Sequence, residues 1–232
     1  MCDAGAYKRD EGTVVSDGAW ARGGKRAFDL VAAAILLVVL SPVLLAAAGL
    51  VKLTSRGPVF FVQERAGKNG KIFRLPKFRT MKGGRTPDPK ELVPLDHPEI
   101  TRVGRWLRRS KIDELPQLLC VLTGRMSLVG PRPTLPDQVA AYDAFRRRRL
   151  LVRPGITGLA QVNGNTTMPW DERILYDVAY VKRCGLLLDC AIFLRTLLSV
   201  ILGESATARP FAATKYARYV TPPADFERAT PR

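Results

Sequence analysis

"LVAAAILLVVLSPVLLAAAGLV", residues 30–51, carries no charged residue over a length that, at about 1.5 Å per residue, reaches across a hydrocarbon core. The segment predicts a membrane helix. Ser41-Pro42 lies at its midpoint, where proline removes a backbone donor and clashes with the preceding turn, so a bend is expected there. Both flanks are basic, with Arg22, Lys25 and Arg26 before and Lys52 and Arg56 after, so charge asymmetry sets no direction of crossing. A bent span and a re-entrant helix that returns to the face it entered both satisfy these features. A cleavable signal peptide fits less well, because its apolar region is normally shorter and a polar, Gly-rich stretch precedes this one.

Outward from that segment, the chain has 232 residues and a formal charge of +16, from 37 Lys+Arg against 21 Asp+Glu. One folded unit with its own core is expected, together with a polyanionic partner: nucleic acid, an anionic membrane face or phosphorylated substrates. Cys2, Cys120, Cys184 and Cys190 form no CxxC pair, and the single histidine, His97, sits in the turn-like "PLDHPEI". Neither a zinc site nor a disulfide framework is signalled, and a reducing compartment fits. Any catalysis then runs on carboxylates and cations.

The remaining pattern predicts a mostly helical α+β chain. Residues 1–24 read as a disordered polar N-terminus, 25–53 as the membrane helix, 54–203 as a catalytic domain, and 204–232 as a tail that lies along a surface. Strands are expected at 58–62 and 72–80, Pro76 marking the second as an edge or a bulge, and "GGRTPDPKELVPLDHPE" is a loop. Helices are expected at 101–109, 114–123, 134–151, 170–183 and 186–202. The last is apolar but carries Asp189 and Arg195, so a buried or interfacial helix is predicted rather than a second span.

Within this frame "RRSKIDELPQLL", residues 108–119, places two carboxylates after a basic run. Pro116 is tolerated only in a first helical turn, so the helix is expected to start near Asp113, with Asp113 as N-cap and Glu114 in the first turn. An acidic cap is ordinary helix chemistry, and its surroundings are what point further. Arg102, Arg105, Arg108 and Arg109 recur upstream at helical spacing. "SLVGPRP", residues 127–133, presents Arg132 on a Gly/Pro turn, and "RPGITGLAQVNG", residues 153–164, presents Arg153, Gln161 and Asn163. Rigid turns bearing planar donors suit phosphate and nucleotide contacts.

Taken in order, "KRAFDLVAAAILLVVLSPVLL", "KFRTM", "RRSKIDELPQLLCVLTGRMSLVGPRP", "RPGITGLAQVNG" and "YDVAYVKRCGLLLDCAIF" resemble the bacterial sugar transferase family of small monotopic phosphoglycosyl transferases, over about residues 24–216. The resemblance implies a re-entrant helix bent at Ser41-Pro42, a cytoplasmic catalytic domain with interfacial helices at the bacterial inner membrane, and a magnesium-dependent reaction. It implies transfer of a sugar 1-phosphate from a nucleotide-sugar, with UDP expected, to polyprenol phosphate through a phospho-sugar aspartyl intermediate, giving polyprenyl-diphosphate-sugar and a nucleoside monophosphate, the first membrane step of bacterial polysaccharide or glycoconjugate assembly. Asp113 maps to the nucleophile and Glu114 to the metal-holding carboxylate. Arg132 becomes a nucleotide or phosphate contact, and Lys77 and Arg79 of "KFRTM" phosphate contacts. Asp177 and Asp189 take supporting roles near the metal, although Asp189 could equally pair with Lys182 or Arg183.

Two positions depart from the family pattern: Leu159 stands where an aromatic is common, and Lys111 where a small hydroxyl residue is common. Membrane lipids complete the expected partners; a homo-oligomer, the sugar and the pathway stay open. A membrane-tethered basic nucleic-acid-binding module competes as a reading, but the basic run lacks interleaved aromatics, and nucleic acid is not an expected partner. A non-catalytic membrane scaffold would leave the Asp-Glu pair without a purpose.

Overall fold

The computed structural model describes residues 20–82, 93–164, 167–202, 208–224 and 226. The expected disordered N-terminus therefore lies outside the described residues up to 19, as does most of the predicted loop after residue 82. The architecture is mostly helical α+β with two small sheets.

Helix α1 (Lys25–Val39) and helix α2 (Ser41–Thr54) meet at Leu40 with a bend of 60°. Pro42 sits in the first turn of α2, where its missing N–H has no intrahelical partner to lose, and Ser41 Oγ donates to Val38 O at 2.7 Å, closing the last turn of α1. No single helix among the described residues is long and apolar enough to cross a membrane; the bent pair is, taken together. Val38, Val39 and Leu45 beside the bend are 65–74 % exposed.

Both ends of the pair are fastened to the same body. At the start of α1, Arg26 donates to Val121 O at 2.5 Å and Leu122 O at 2.8 Å, and the buried Asp29 carboxylate accepts from Leu128 N at 3.0 Å. Residues 20–24, expected to be disordered, instead form a helical turn leading into α1, and Trp20 and Lys25 both donate to Asp189 Oδ2. At the other end, Ala47 and Val51 of α2 pack with Phe78 and Leu107 in a small second core.

Strand β1 (Phe60–Ala66) pairs antiparallel with β2 (Ile72–Phe78), a hairpin shifted slightly from the expected strands, with Pro76 opposite Val62. Helix α3 (Arg102–Arg109) follows, capped by Thr101 Oγ1, which accepts from Gly104 N. The predicted helix at 114–123 is two pieces: a 3₁₀ helix at Ile112–Gln117, then α4 (Leu118–Leu122). Pro116 explains the first piece, since a proline inside the run removes one α-type bond. The predicted helix at 134–151 is likewise broken, into α5 (Pro136–Ala140), α6 (Ala144–Arg147) and a 3₁₀ turn at Arg148–Leu151; Asp143 caps α6 by accepting from Arg146 N.

Strands β3 (Ser127–Val129) and β4 (Gly155–Thr157) are parallel. Their glycines serve backbone packing: a Cβ on Gly130 would lie 2.4 Å from Arg153 O, and one on Gly155 would lie 2.1 Å from Gly130 N. Helices α7 (Trp170–Arg183) and α8 (Leu186–Leu202) stand where the sequence places them. The main core lies between α1, α4, β3 and α7, centred on Val121, Met126, Tyr176, Val178 and Tyr180. Contrary to expectation, the C-terminal tail enters that core rather than lying on a surface. Phe211, Val220 and Phe226 are buried, Tyr176 Oη donates to Arg209 O, and Arg146 donates to Phe226 O.

Candidate active site

The Asp113–Glu114 pair sits on the 3₁₀ helix directly after Lys111, whose backbone is left-handed at φ 57°. A lysine in that region costs roughly 1–2 kcal/mol, and the resulting reversal turns the chain out of α3 toward the hairpin. Asp113 is not the N-cap expected from Pro116; Lys111 occupies that position and provides no side-chain cap. The 3₁₀ helix lies against β2, whose inward face presents Phe73, Leu75 and Lys77 at period two.

The two carboxylates occupy unlike environments. Glu114 Oε1 accepts from Lys77 Nζ at 2.8 Å and Arg132 Nη2 at 2.5 Å, and Oε2 accepts from Arg132 Nη1 at 3.1 Å. Burial pushes this carboxyl up, but the charges and hydrogen bonds of Arg132 and Lys77 outweigh it and hold Glu114 well below the usual carboxylate range. Asp113 is buried too, at 8 % exposure, yet its carboxylate accepts no hydrogen bond among the described residues. Burial, then the adjacent Glu114 charge, raise it to about 6 against the pull of Lys77, Arg108 and Arg132. One carboxylate is clamped by two cations and firmly charged, with acceptor capacity left on Oε2, while its neighbour is unengaged and poised near neutrality. Such a split in environment lets adjacent acids take different chemical roles.

Arg108 of α3 completes the cationic wall. Its Nε donates to Thr80 Oγ1 at 2.9 Å, and burial lowers its pKa while Asp113 opposes that change. Arg65 on β1 belongs to the same cluster and was not anticipated. Burial and the charge of Arg132 push it down to about 10, with Glu114 acting in the other direction. The hint for Arg65 is strand periodicity, since Phe61, Gln63 and Arg65 share the inward face of β1; an expected strand ending at residue 62 hid it.

A deeper layer holds the Arg132 turn. Arg149, buried in the turn after α6, donates to Arg132 O at 2.9 Å and to Tyr142 Oη at 2.8 Å, and pairs with Asp177 at 2.6 Å. Asp177, expected beside a metal, is thus a partner of Arg149, and burial raises it to about 6 even against that arginine. Asp189 holds Lys25, Trp20 and Tyr180 at the start of α1, in place of the expected pairing with Lys182 or Arg183. Lys182 donates to Tyr219 O, and the Arg183 guanidinium lies over the Tyr219 ring.

The other expected contacts lie apart from the pair. Arg79 donates to Ser55 O and Oγ after α2, Arg109 is exposed on α3, and Arg153 donates to Gly124 O. Gln161 donates to Ile156 O, and Asn163, fully buried, donates to Leu159 O and accepts from Arg195. Leu159 is buried in the core beside them.

For a metal, the described residues contain no cluster of three or more His, Cys, Asp or Glu side chains. Magnesium commonly takes only one or two carboxylates, with substrate phosphates and water supplying the rest. The adjacent Asp113 and Glu114 meet that requirement, with Asp113 the less occupied of the two.

The family model described as bacterial sugar transferase matches residues 20–203. The chain is 45 % identical over 180 residues to an uncharacterised sugar transferase, EpsL, of Bacillus subtilis, covering 78 % of this chain and 88 % of that protein. It is 41 % identical over 199 residues to an undecaprenyl-phosphate glucose phosphotransferase of Komagataeibacter xylinus, covering 81 % of this chain and 37 % of that longer protein. It is 39 % identical over 193 residues to a UDP-glucose:undecaprenyl-phosphate glucose-1-phosphate transferase of Escherichia coli, covering 78 % of this chain and 41 % of the relative. With the carboxylate pair, its Lys77 and Arg132 clamp and the bent apolar helix pair all inside the matched span, the chain belongs to the bacterial sugar transferase family.

Proposed function

We propose that this protein transfers a sugar 1-phosphate from a UDP-sugar to polyprenol phosphate at the cytoplasmic face of the bacterial inner membrane, releasing UMP. The observation that carries the reading is the asymmetry of the pair: Glu114 is clamped by Lys77 and Arg132, while the adjacent Asp113 has oxygens free to attack. The names of the Komagataeibacter and Escherichia relatives support undecaprenyl phosphate as acceptor, and the latter supports a UDP-linked donor.

In the proposed reaction an Asp113 carboxylate oxygen attacks the phosphorus that bears the sugar, and the P–O bond to UMP breaks. A phosphate oxygen of the polyprenol phosphate then attacks the phospho-sugar aspartate, forming the lipid diphosphate and returning Asp113 as carboxylate. A carboxylate approaching a diphosphate meets repulsion, which Lys77, Arg65, Arg108 and Arg132 reduce by surrounding the pair with positive charge. The Arg149–Asp177 pair keeps the Arg132 turn in place. A magnesium ion held by Asp113 and Glu114 with the donor phosphates would stabilise negative charge on the leaving nucleotide.

Attachment of both ends of the α1–α2 pair to one body supports re-entry, because a straight span would separate those ends by the membrane thickness. The deciding experiment follows UMP release from UDP-sugars by the purified chain, with and without magnesium and polyprenol phosphate. Withholding acceptor should trap a phospho-sugar adduct on the peptide containing Asp113. No adduct, or kinetics requiring a ternary complex, would exclude the covalent route.

A further inference from the structure

At the turn end of the β1–β2 hairpin a cavity of about 780 Å³ lies apart from the Asp113–Glu114 pair. Three stretches distant in sequence supply its cations: Lys68, Lys71 and Arg74 from the hairpin, Arg125 after α4, and Arg153 before β4. One carboxylate, Glu64, shares the wall, directly across the strand pair from Arg74. Arg153 is fixed in place, its Nε donating to Gly124 O at 2.9 Å. Lys71, Arg74 and Arg125 make no ion pair among the described residues. Five cations against one carboxylate give the cavity a positive potential, to which Lys71, Arg74 and Arg125 contribute without an ion pair among the described residues.

The position of the cavity narrows the ligand. Gly124 on its wall abuts Arg26, from which a Cβ at that glycine would stand 3.3 Å, and Arg26 is the second residue of α1. One lining residue, Gly124, is thus in contact with the Arg26 side chain from the first turn of the bent apolar pair, and another, Ile72, is an apolar residue 59 % exposed. Its size is that of an ordinary small-ligand site, and guanidinium and ammonium groups converging from several directions suit the several oxygens of a phosphate.

We propose that this cavity is a phosphate-binding site distinct from the carboxylate pair, taking a phosphate mono- or diester borne by a membrane-lipid headgroup or by the nucleotide. The lipid source rests on the membrane placement proposed above; the site itself rests on the cavity and its cations. Neither carboxylate of the proposed chemistry lines it.

The test uses the full chain, purified in detergent, as unmodified protein, as Lys71→Glu/Arg125→Glu, and as the milder Lys71→Gln/Arg125→Gln in case charge reversal impairs folding. UMP affinity is measured by calorimetry. Retained phosphatidylglycerol is measured by mass spectrometry after reconstitution in phosphatidylcholine with and without phosphatidylglycerol. Loss of the two charges should weaken one of these two ligands about tenfold or more, and the ligand affected identifies the source. If folded variants bind UMP and retain phosphatidylglycerol as the unmodified chain does, the site does not exist. Neither readout depends on turnover, so failure of the transferase reading leaves this result standing.

Discussion

Arg132 holds Glu114 with both of its terminal nitrogens, Nη2 at 2.5 Å from Oε1 and Nη1 at 3.1 Å from Oε2, while Asp113, the next residue back, is left without a hydrogen bond among the described residues. A planar fork matching both carboxylate oxygens is a property of arginine that lysine does not share. Arg132→Lys should therefore lower kcat/KM at least about tenfold while the protein stays folded. Activity within twofold of the unmodified enzyme would show that the bidentate contact is dispensable.

The two carboxylates should move stability in opposite directions. Asp113, pushed up to about 6 in the metal-free fold, binds protons more readily folded than unfolded. Its charge therefore costs stability above about pH 6, and the cost is relieved as pH falls through that value toward the ordinary 3.8. Glu114, held well below its ordinary value, contributes stability that is present above that value and lost as pH falls through the depressed one. At pH 7.5 without magnesium, Asp113→Asn should raise the melting temperature, by about 2–4 °C for each kcal/mol relieved, and abolish turnover; Glu114→Gln should lower it. Melting curves of the two variants showing the same sign would contradict the asymmetry.

Asp177 pairs with Arg149, which donates to the Arg132 carbonyl, so the proposed reaction should feel its loss through the Arg132 turn. Removing one member of a buried ion pair costs about 3–5 kcal/mol, whereas replacing both by apolar groups can be nearly neutral. Asp177→Asn should lower both melting temperature and kcat. Arg149→Met/Asp177→Leu should recover stability without recovering kcat, because the Arg132 turn still lacks its donor. Full recovery of turnover in that double variant would remove Asp177 and Arg149 from the positioning of the site.

The bend is testable by topology. Ser41→Leu/Pro42→Ala deletes the Ser41–Val38 bond and restores the missing donor, giving an uninterrupted apolar helix of spanning length. In a background lacking the native cysteines, a probe at residue 16 should be protected from periplasmic labelling in the parent and become labelled in the double variant. Labelling of the parent from outside would rule out re-entry.

The C-terminal tail should be structural. Phe226, 4 % exposed, stacks edge-on against Phe145 at 5.0 Å and lies under the Arg146 guanidinium at 4.6 Å. Phe226→Ala is expected to cost about 3–5 kcal/mol, measured by thermal unfolding. A loss under about 1 kcal/mol would mean that the tail is not part of the core.

Local chemistry made much of this protein legible before any coordinates. The uncharged run from Leu30 to Val51 specifies the helix pair, proline stereochemistry specifies its break, and periodicity places α3, α7 and α8 because each is a single amphipathic or apolar run with its ends marked. The Asp113–Glu114 pair and Arg132 were readable for the same reason, since each lies in a short rigid motif. What the chain order cannot express is which distant groups satisfy one another. Gln161, Asn163, Asp177 and Asp189 are polar and sit in motifs, and only the fold shows that Gln161 donates to Ile156, Asn163 to Leu159, and that Asp177 and Asp189 pair with Arg149 and Lys25. Buried polar groups must find partners, and those partners come from whichever segments packing brings near. The same rule draws the polar tail into the core through Phe226 and Arg146, and joins Asp29 of α1 to Leu128. Only the tertiary structure could separate Glu114, already clamped by two cations, from Asp113, left free beside it, because that difference is made by Lys77 and Arg132 arriving from two other parts of the chain.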